Sequence, residues 1–326
     1  MADCPPPAPA PPARRGRAVS WVIVIAALYL IGLWYVDRDR DILSRLAEMA
    51  LPLAGCALLV LASYVVRYQR WRAVLAKQGC PVSSWAHGFA AYLAGFAFTA
   101  SPGKAGELLR IRYFNWQNVP ARATLTAFIF ERAIDLLVIT LMGAGAASLV
   151  PVFGLLASII FIVLLVLLAL GCWPPLARAV RDLVDRLPGA AVRRLGNFLV
   201  DGAEHLGPLV RLPVIAPATA LGTLAWTLTA AAFALLCHAA GIDLPWPLAL
   251  GIYPLAMLIG ALSFVPGGVG TTEAAVVIML GAAGVPADTG LAVAIGIRLV
   301  SLWLAVAVGM LAMGVLELLG PGPRDH

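Results

Sequence analysis

The chain has 326 residues, 61% of them hydrophobic and only 12% charged, with a formal net charge of +6 and a mean hydropathy of +0.91. So few polar groups cannot cover so much apolar surface, which excludes a monomeric soluble globule and leaves a polytopic membrane protein. The positive excess does not point to nucleic acid, because the arginines cluster beside apolar runs, where they set orientation and meet anionic headgroups.

Residues 1–17, rich in Pro and Ala, are expected to form a disordered cytoplasmic tail. Arg14, Arg15 and Arg17 then precede an apolar run at 18–36 with no small-residue cleavage site behind it, which reads as an uncleaved first span. A full span needs about 20 apolar residues, and the segments 18–36, 48–66, 121–149, 152–173, 213–240 and 288–316 qualify. Two further apolar stretches are interrupted: 83–118 at Ser101-Pro102-Gly103, and 246–284 at Pro266-Gly267-Gly268. Proline lacks the amide donor and glycine carries a large backbone entropy cost, so neither stretch continues as one helix.

Basic residues set the orientation. Arg67, Arg70, Arg72 and Lys77 mark a cytoplasmic end, and so does the connection 174–212 with Arg178, Arg181, Arg186, Arg193, Arg194 and Arg211. Counting spans back from that connection, 83–118 starts and ends inside, whereas 246–284, flanked by Asp243 and Asp288, starts and ends outside. The expected fold is therefore all-α and polytopic, with about six full spans plus two oppositely oriented re-entrant helical hairpins in an inverted repeat. The alternative is eight full spans, with both stretches crossing as kinked helices. A single transmembrane domain at 18–316 divides into halves of about 18–173 and 213–316, followed by a cytoplasmic tail at 317–326. Both termini are expected in the cytoplasm and the protein in the cytoplasmic membrane.

Paired breaks in corresponding halves are the best sequence pointer to a transporter's binding site. Pro102, Gly103, Lys104, Gly106, Glu107 and Arg110 surround the first; Pro266, Gly267, Gly268, Gly270 and Glu273 surround the second. Glycines let backbone amides approach a ligand, and a helix starting after the break presents its positive end, so an anion such as phosphate suits the site. Lys104, Arg110 and Arg112 add positive charge there. Glu107 and Glu273 either cap free amides or complement the helix dipole, or serve proton coupling or amine recognition. Glu131, Arg132 and Asp135 lie about ten residues into a span, roughly 15 Å deep, and Arg298 lies similarly deep in the last one. Such groups either neutralise one another between spans or line a polar path. Trp21, Trp34, Tyr35, Trp71, Trp173 and Trp246 read as interfacial anchors.

Five scattered cysteines and four isolated histidines suggest neither a disulfide framework nor a metal site. No catalytic triad or nucleotide loop is visible, so neither enzymatic activity nor a cofactor is expected.

The run Pro102-Gly103-Lys104-Ala105-Gly106-Glu107-Leu108-Leu109-Arg110, then Glu131-Arg132-Ala133-Ile134-Asp135, then Pro266-Gly267-Gly268-Val269-Gly270-Thr271-Thr272-Glu273-Ala274, and finally Arg298, Trp303 and Gly309, resembles the lysylphosphatidylglycerol synthase transmembrane-region family in order and spacing. The resemblance implies a flippase-like protein that moves an anionic, amino-acylated, hopanoid or polyprenyl-linked lipid between leaflets, with these residues around a central cavity. The chain stops at His326 without a soluble aminoacyl-transfer domain, so synthase activity is not expected. The expected partners are membrane lipids with anionic or sugar headgroups. An accessory subunit for a membrane enzyme of lipid, glycolipid or cell-envelope synthesis is the competing reading.

Overall fold

A computed structural model of the chain describes residues 42–150, 153–263 and 265–320, with isolated positions between 24 and 38. The expected N-terminal tail, most of the expected first span and residues 321–326 lie outside the described residues.

The described chain is all-helical. Helices α1 (Ile42–Glu48) and α2 (Ala50–Lys77) lead to α3 (Trp85–Ala94), a 3₁₀ turn at Gly95–Phe98, a second at Pro102–Leu109, and the short α4 (Arg110–Asn115). Then come α5 (Ala121–Gly143), α6 (Phe153–Cys172), α7 (Pro174–Asp185) and α8 (Ala190–Glu204). The second half holds α9 (Leu212–Ala239), α10 (Trp246–Leu262), α11 (Thr271–Ala282), α12 (Ala287–Arg298), a π turn at Leu299–Trp303 and α13 (Leu304–Leu319).

Among the described residues, α2, α6, α9 and the continuous run Ala287–Leu319 are long and apolar enough to cross a membrane. Helix α5 is long enough at 23 residues, but Arg122, Glu131, Arg132 and Asp135 interrupt its apolar surface. Helix α6 places Leu155, Phe161 and Ile162 on its exposed surface, which suits contact with hydrocarbon.

The two halves are built from matching parts. Helices α2 and α9 are each 28 residues long. Both end in the same way, with a positive-φ glycine, Gly79 or Gly241, and a reversed bond from Cys80 N–H to Leu75 O or from Ile242 N–H to Cys237 O. They pack against each other. Helix α3, which precedes the first break, packs on α13, while α10, which precedes the second, packs on α5. Each half thus packs its pre-break helix on a helix of the other. Gly309 of α13 lies against the backbone of Phe96 and Ala97, where any side chain would collide.

The connection 174–212, expected as a basic loop, is largely helical. Leu176, Ala177, Val180 and Val184 repeat at three- and four-residue intervals and turn one face of α7 inward, a period that a search for uniformly apolar spans overlooks. Arg181 of α7 donates to Asp201 (2.6 Å) and Glu204 (2.8 Å) of α8 and joins the two helices.

Candidate functional site

Both breaks fall where proline and glycine predict them. After Phe98 the chain runs through Ser101 in an extended conformation (ψ 156°) before Pro102 starts the next turn. Gly106 N–H donates to Ser101 Oγ at 2.6 Å, so the hydroxyl satisfies an amide that the interrupted helix leaves free. For residues 102–105 only the backbone is described, and the side chains of Pro102 and Lys104 lie outside the described residues. In the second break, Val265 and Val269 are extended, while Gly267, Gly268 and Gly270 have φ of 65°, 64° and 81°. The two breaks touch, and a Cβ at Gly267 would sit 3.2 Å from Ala100 Cα. Gly267→Ala is therefore expected to cost at least about 1–2 kcal/mol from the left-handed backbone alone, read as a lower unfolding midpoint in detergent.

Beside this junction lies a dense charge network. Asp135 and Glu131, one turn apart on α5, both accept from Arg70 Nη2 of α2, at 2.8 and 3.0 Å. Asp135 also accepts from Arg67 at 3.2 Å, and Glu131 from Tyr92 Oη at 2.6 Å and Arg110 Nη1 at 3.1 Å. Arg110 further donates to the Tyr92 carbonyl (3.0 Å), lies 3.3 Å from Glu107, and sits over the ring of Tyr92 at 3.9 Å, between Trp71 and Phe96. Glu107 accepts from Thr99 Oγ1 at 3.0 Å. Arg70, Glu107 and Arg110 are each 1% exposed. Buried charges survive only when paired and hydrogen-bonded, and these are.

The second break has a smaller counterpart. Arg298, the last residue of α12, donates to Glu273 of α11 at 3.1 Å and to the carbonyl of Gly267. The π turn follows immediately. Its Ser301 Oγ bonds Tyr253 Oη at 2.7 Å, and its carbonyl accepts from Tyr64 Oη at 3.3 Å. π turns recur at functional sites because they widen the helix and re-aim side chains.

Two cavities adjoin these networks and share Arg132, Trp226, Met257 and Gly267 in their walls. The central one, about 100 Å³, is lined by Arg67, Glu107, Arg132 and Arg298 with Tyr64, Thr99, Thr229, Tyr253 and Ser301. The other, about 260 Å³, is more apolar, with Leu136, Ile139, Met257, Ala261 and Val265 facing Asp135 and Thr272. Arg67 stacks over Trp226 at 4.7 Å in the central wall.

The structure therefore brings together most of the residues singled out by sequence, in several roles. Glu107, Arg132, Asp135, Gly267, Gly268 and Arg298 line the cavities. Arg110, Glu131 and Glu273 stand behind the walls and hold those residues in place, and Gly106 and Gly270 shape the breaks. Among the described residues no amide donates to the Glu107 or Glu273 side chain, and each pairs with arginine; Glu273 lies in the first turn of α11, where a carboxylate complements the helix dipole. Arg298 neutralises Glu273, not Glu131 or Asp135. Arg112 points away from the cavities, toward Glu317 at 3.3 Å.

Sequence reasoning missed Arg67 and Arg70, which it assigned to a cytoplasmic end together with Arg72 and Lys77. Their positions three apart on α2 put both on one face, a weak signal beside two more basic residues. Trp71, expected as an interfacial anchor, is 1% exposed and packs beside Arg110. Trp34, Tyr35, Trp173 and Trp246 are exposed, as expected of anchors.

A family model described as "Lysylphosphatidylglycerol synthase TM region" matches residues 17–309. A "UPF0104 membrane protein" from Methanothermobacter thermautotrophicus (strain Delta H) is 24% identical over 230 residues, covering 66% of this chain and 69% of the relative.

Proposed function

The chain belongs to the lysylphosphatidylglycerol synthase transmembrane-region family, and from that premise we propose that it is a lipid flippase or scramblase of the cytoplasmic membrane, whose central cavity takes an anionic lipid headgroup. One observation carries this reading. Arginines and carboxylates from both halves converge on a cavity at the junction of two helix breaks, in a chain whose outer helix α6 exposes a broad apolar surface. Ionisable groups at that depth are costly, and a path for a charged headgroup is the use that repays them.

In this account α3 to α4 and α10 to α11 are re-entrant hairpins that enter from the cytoplasmic and the outer face respectively, related by an inverted repeat. The exchanged packing of α3 on α13 and α10 on α5 supports that symmetry. The headgroup occupies the central cavity while the acyl chains lie along the apolar one, toward Leu136, Ile139 and Val265. Alternating access follows from rocking one half against the other at the Ala100–Gly267 contact, and both termini stay in the cytoplasm. The protein performs no covalent chemistry; its residues bind, orient and shield the headgroup.

Reconstitution into liposomes with fluorescent phosphatidylglycerol tests this. Dithionite added outside is expected to bleach the probe beyond the outer-leaflet fraction in protein-containing vesicles. Bleaching that stops at that fraction for every lipid tried, with correctly folded protein, would overturn the reading.

A further inference from the structure

The charge network around the central cavity is unbalanced. Among the described residues, five guanidiniums, Arg67, Arg70, Arg110, Arg132 and Arg298, meet four carboxylates, Glu107, Glu131, Asp135 and Glu273. Counting each paired carboxylate as an anion leaves one positive charge in excess. That excess has an address. Both oxygens of Glu131 and both of Asp135 accept hydrogen bonds from Arg67, Arg70, Arg110 or Tyr92. Arg132 is left with ion-pair contacts only, at 3.2 Å to Asp135, 3.5 Å to Glu131 and 3.9 Å to Glu107. It forms no hydrogen bond to another described residue, and its Nε is buried without a partner. Its side chain is 24% exposed, against 1% for Arg70, Arg110 and Arg298. It also stands in the wall common to both cavities. Glu107 Oε2, 3.9 Å from Arg132 and likewise buried, lacks a hydrogen bond.

We infer that this cavity selects a ligand with one net negative charge, a phosphate group of phosphodiester or dihydrogen-phosphate type, and that Arg132 is the residue that reads the charge. The inference rests on the proposed lipid-headgroup function and adds its charge specificity. A buried excess charge is unfavourable in a low-dielectric site, and a monoanion cancels it, whereas a dianion leaves one negative charge in excess and a cationic aminoacyl headgroup raises the positive excess to two. Arginine suits the task because its fork donates two parallel bonds to phosphate oxygens.

Binding to the full-length protein in detergent, followed calorimetrically, separates the possibilities without requiring transport. The probes are dihexanoyl phosphatidylglycerol (one negative charge), dihexanoyl phosphatidylcholine (net neutral), dihexanoyl phosphatidic acid at pH 8.5 (a dianion) and inorganic phosphate at about pH 5.5, where the dihydrogen monoanion dominates. Wild type is expected to prefer phosphatidylglycerol over phosphatidylcholine by at least about tenfold. Arg132→Gln is expected to bring the two within about threefold, and Arg132→Lys to keep the preference. Glu107→Gln adds a second excess charge and is expected to move the preference to phosphatidic acid, a gain that misfolding cannot imitate. Equal binding of all three lipids by wild type, or an unchanged order in both Arg132→Gln and Glu107→Gln, would overturn the inference. Inorganic phosphate binding as tightly as phosphatidylglycerol, with the same loss in Arg132→Gln, supports it and assigns the site to the free anion. Binding with this selectivity but no leaflet exchange in liposomes would refute the flippase reading and leave the charge selectivity standing.

Discussion

Replacing Arg70 by Ala is expected to destabilise the protein by about 3–5 kcal/mol, the usual cost of stranding a buried charge. Arg70 joins α2 to α5 through both Glu131 and Asp135 and is 1% exposed. The remaining partners do not repair the loss. Arg67 reaches only Asp135, Arg110 already serves Glu131 and Glu107, and Arg132 meets Asp135 and Glu131 at 3.2 and 3.5 Å without a hydrogen bond to either. Denaturant titration in detergent micelles measures the effect. An Arg70→Met, Asp135→Asn double variant removes one charge of each sign, and its loss is expected to be clearly smaller than that of Arg70→Ala. A double variant no more stable than the single would show that packing, not charge pairing, holds α2 to α5.

The second large effect is expected at Arg298, and chiefly on transport. Its guanidinium ties three elements together: Glu273 at the start of α11, the Gly267 carbonyl in the break, and the end of α12 where the π turn begins. Arg298→Ala frees the break from the long helix and leaves the Glu273 carboxylate without its cation. Leaflet exchange is expected to fall by about a hundredfold, or about 2.7 kcal/mol at tenfold per 1.36 kcal/mol. Arg298→Lys keeps the charge but offers a point donor in place of a fork, so it is expected to recover part of the rate. Full exchange by Arg298→Ala at unchanged folded yield would remove the second break from the transport path.

The breaks were legible because their cause is local. Proline at 102 and 266 and glycine at 103, 267 and 268 fix backbone conformation whatever surrounds them. Glu131, Arg132, Asp135 and Arg298 stood out for a related reason, since an ionisable residue inside an apolar run has few bland explanations. Their partners were not legible. Arg70 pairs with Glu131 across 61 positions of sequence, and near the end of a span it resembles the basic residues that mark the cytoplasmic face. Tyr92 and Thr99 sit in a stretch whose composition announces only apolar packing, yet they donate to Glu131 and Glu107. Partner choice is a tertiary property, set by how α2, α3 and α5 pack. The helices α7 and α8 were hidden by their arginines, which dominate a hydropathy average but occupy one face of an amphipathic period.

The account depends most on the two breaks entering from opposite faces, and thiol accessibility in intact cells tests this directly. Single cysteines at Lys77, Arg122, Asp243 and Ala287, each in a background with the native thiols replaced, are treated with a membrane-impermeant maleimide before and after permeabilisation. Positions 77 and 122 are expected to react only after permeabilisation, and 243 and 287 from outside without it. Reaction of 77 and 122 from different sides, or of 243 and 287 from different sides, would contradict the account.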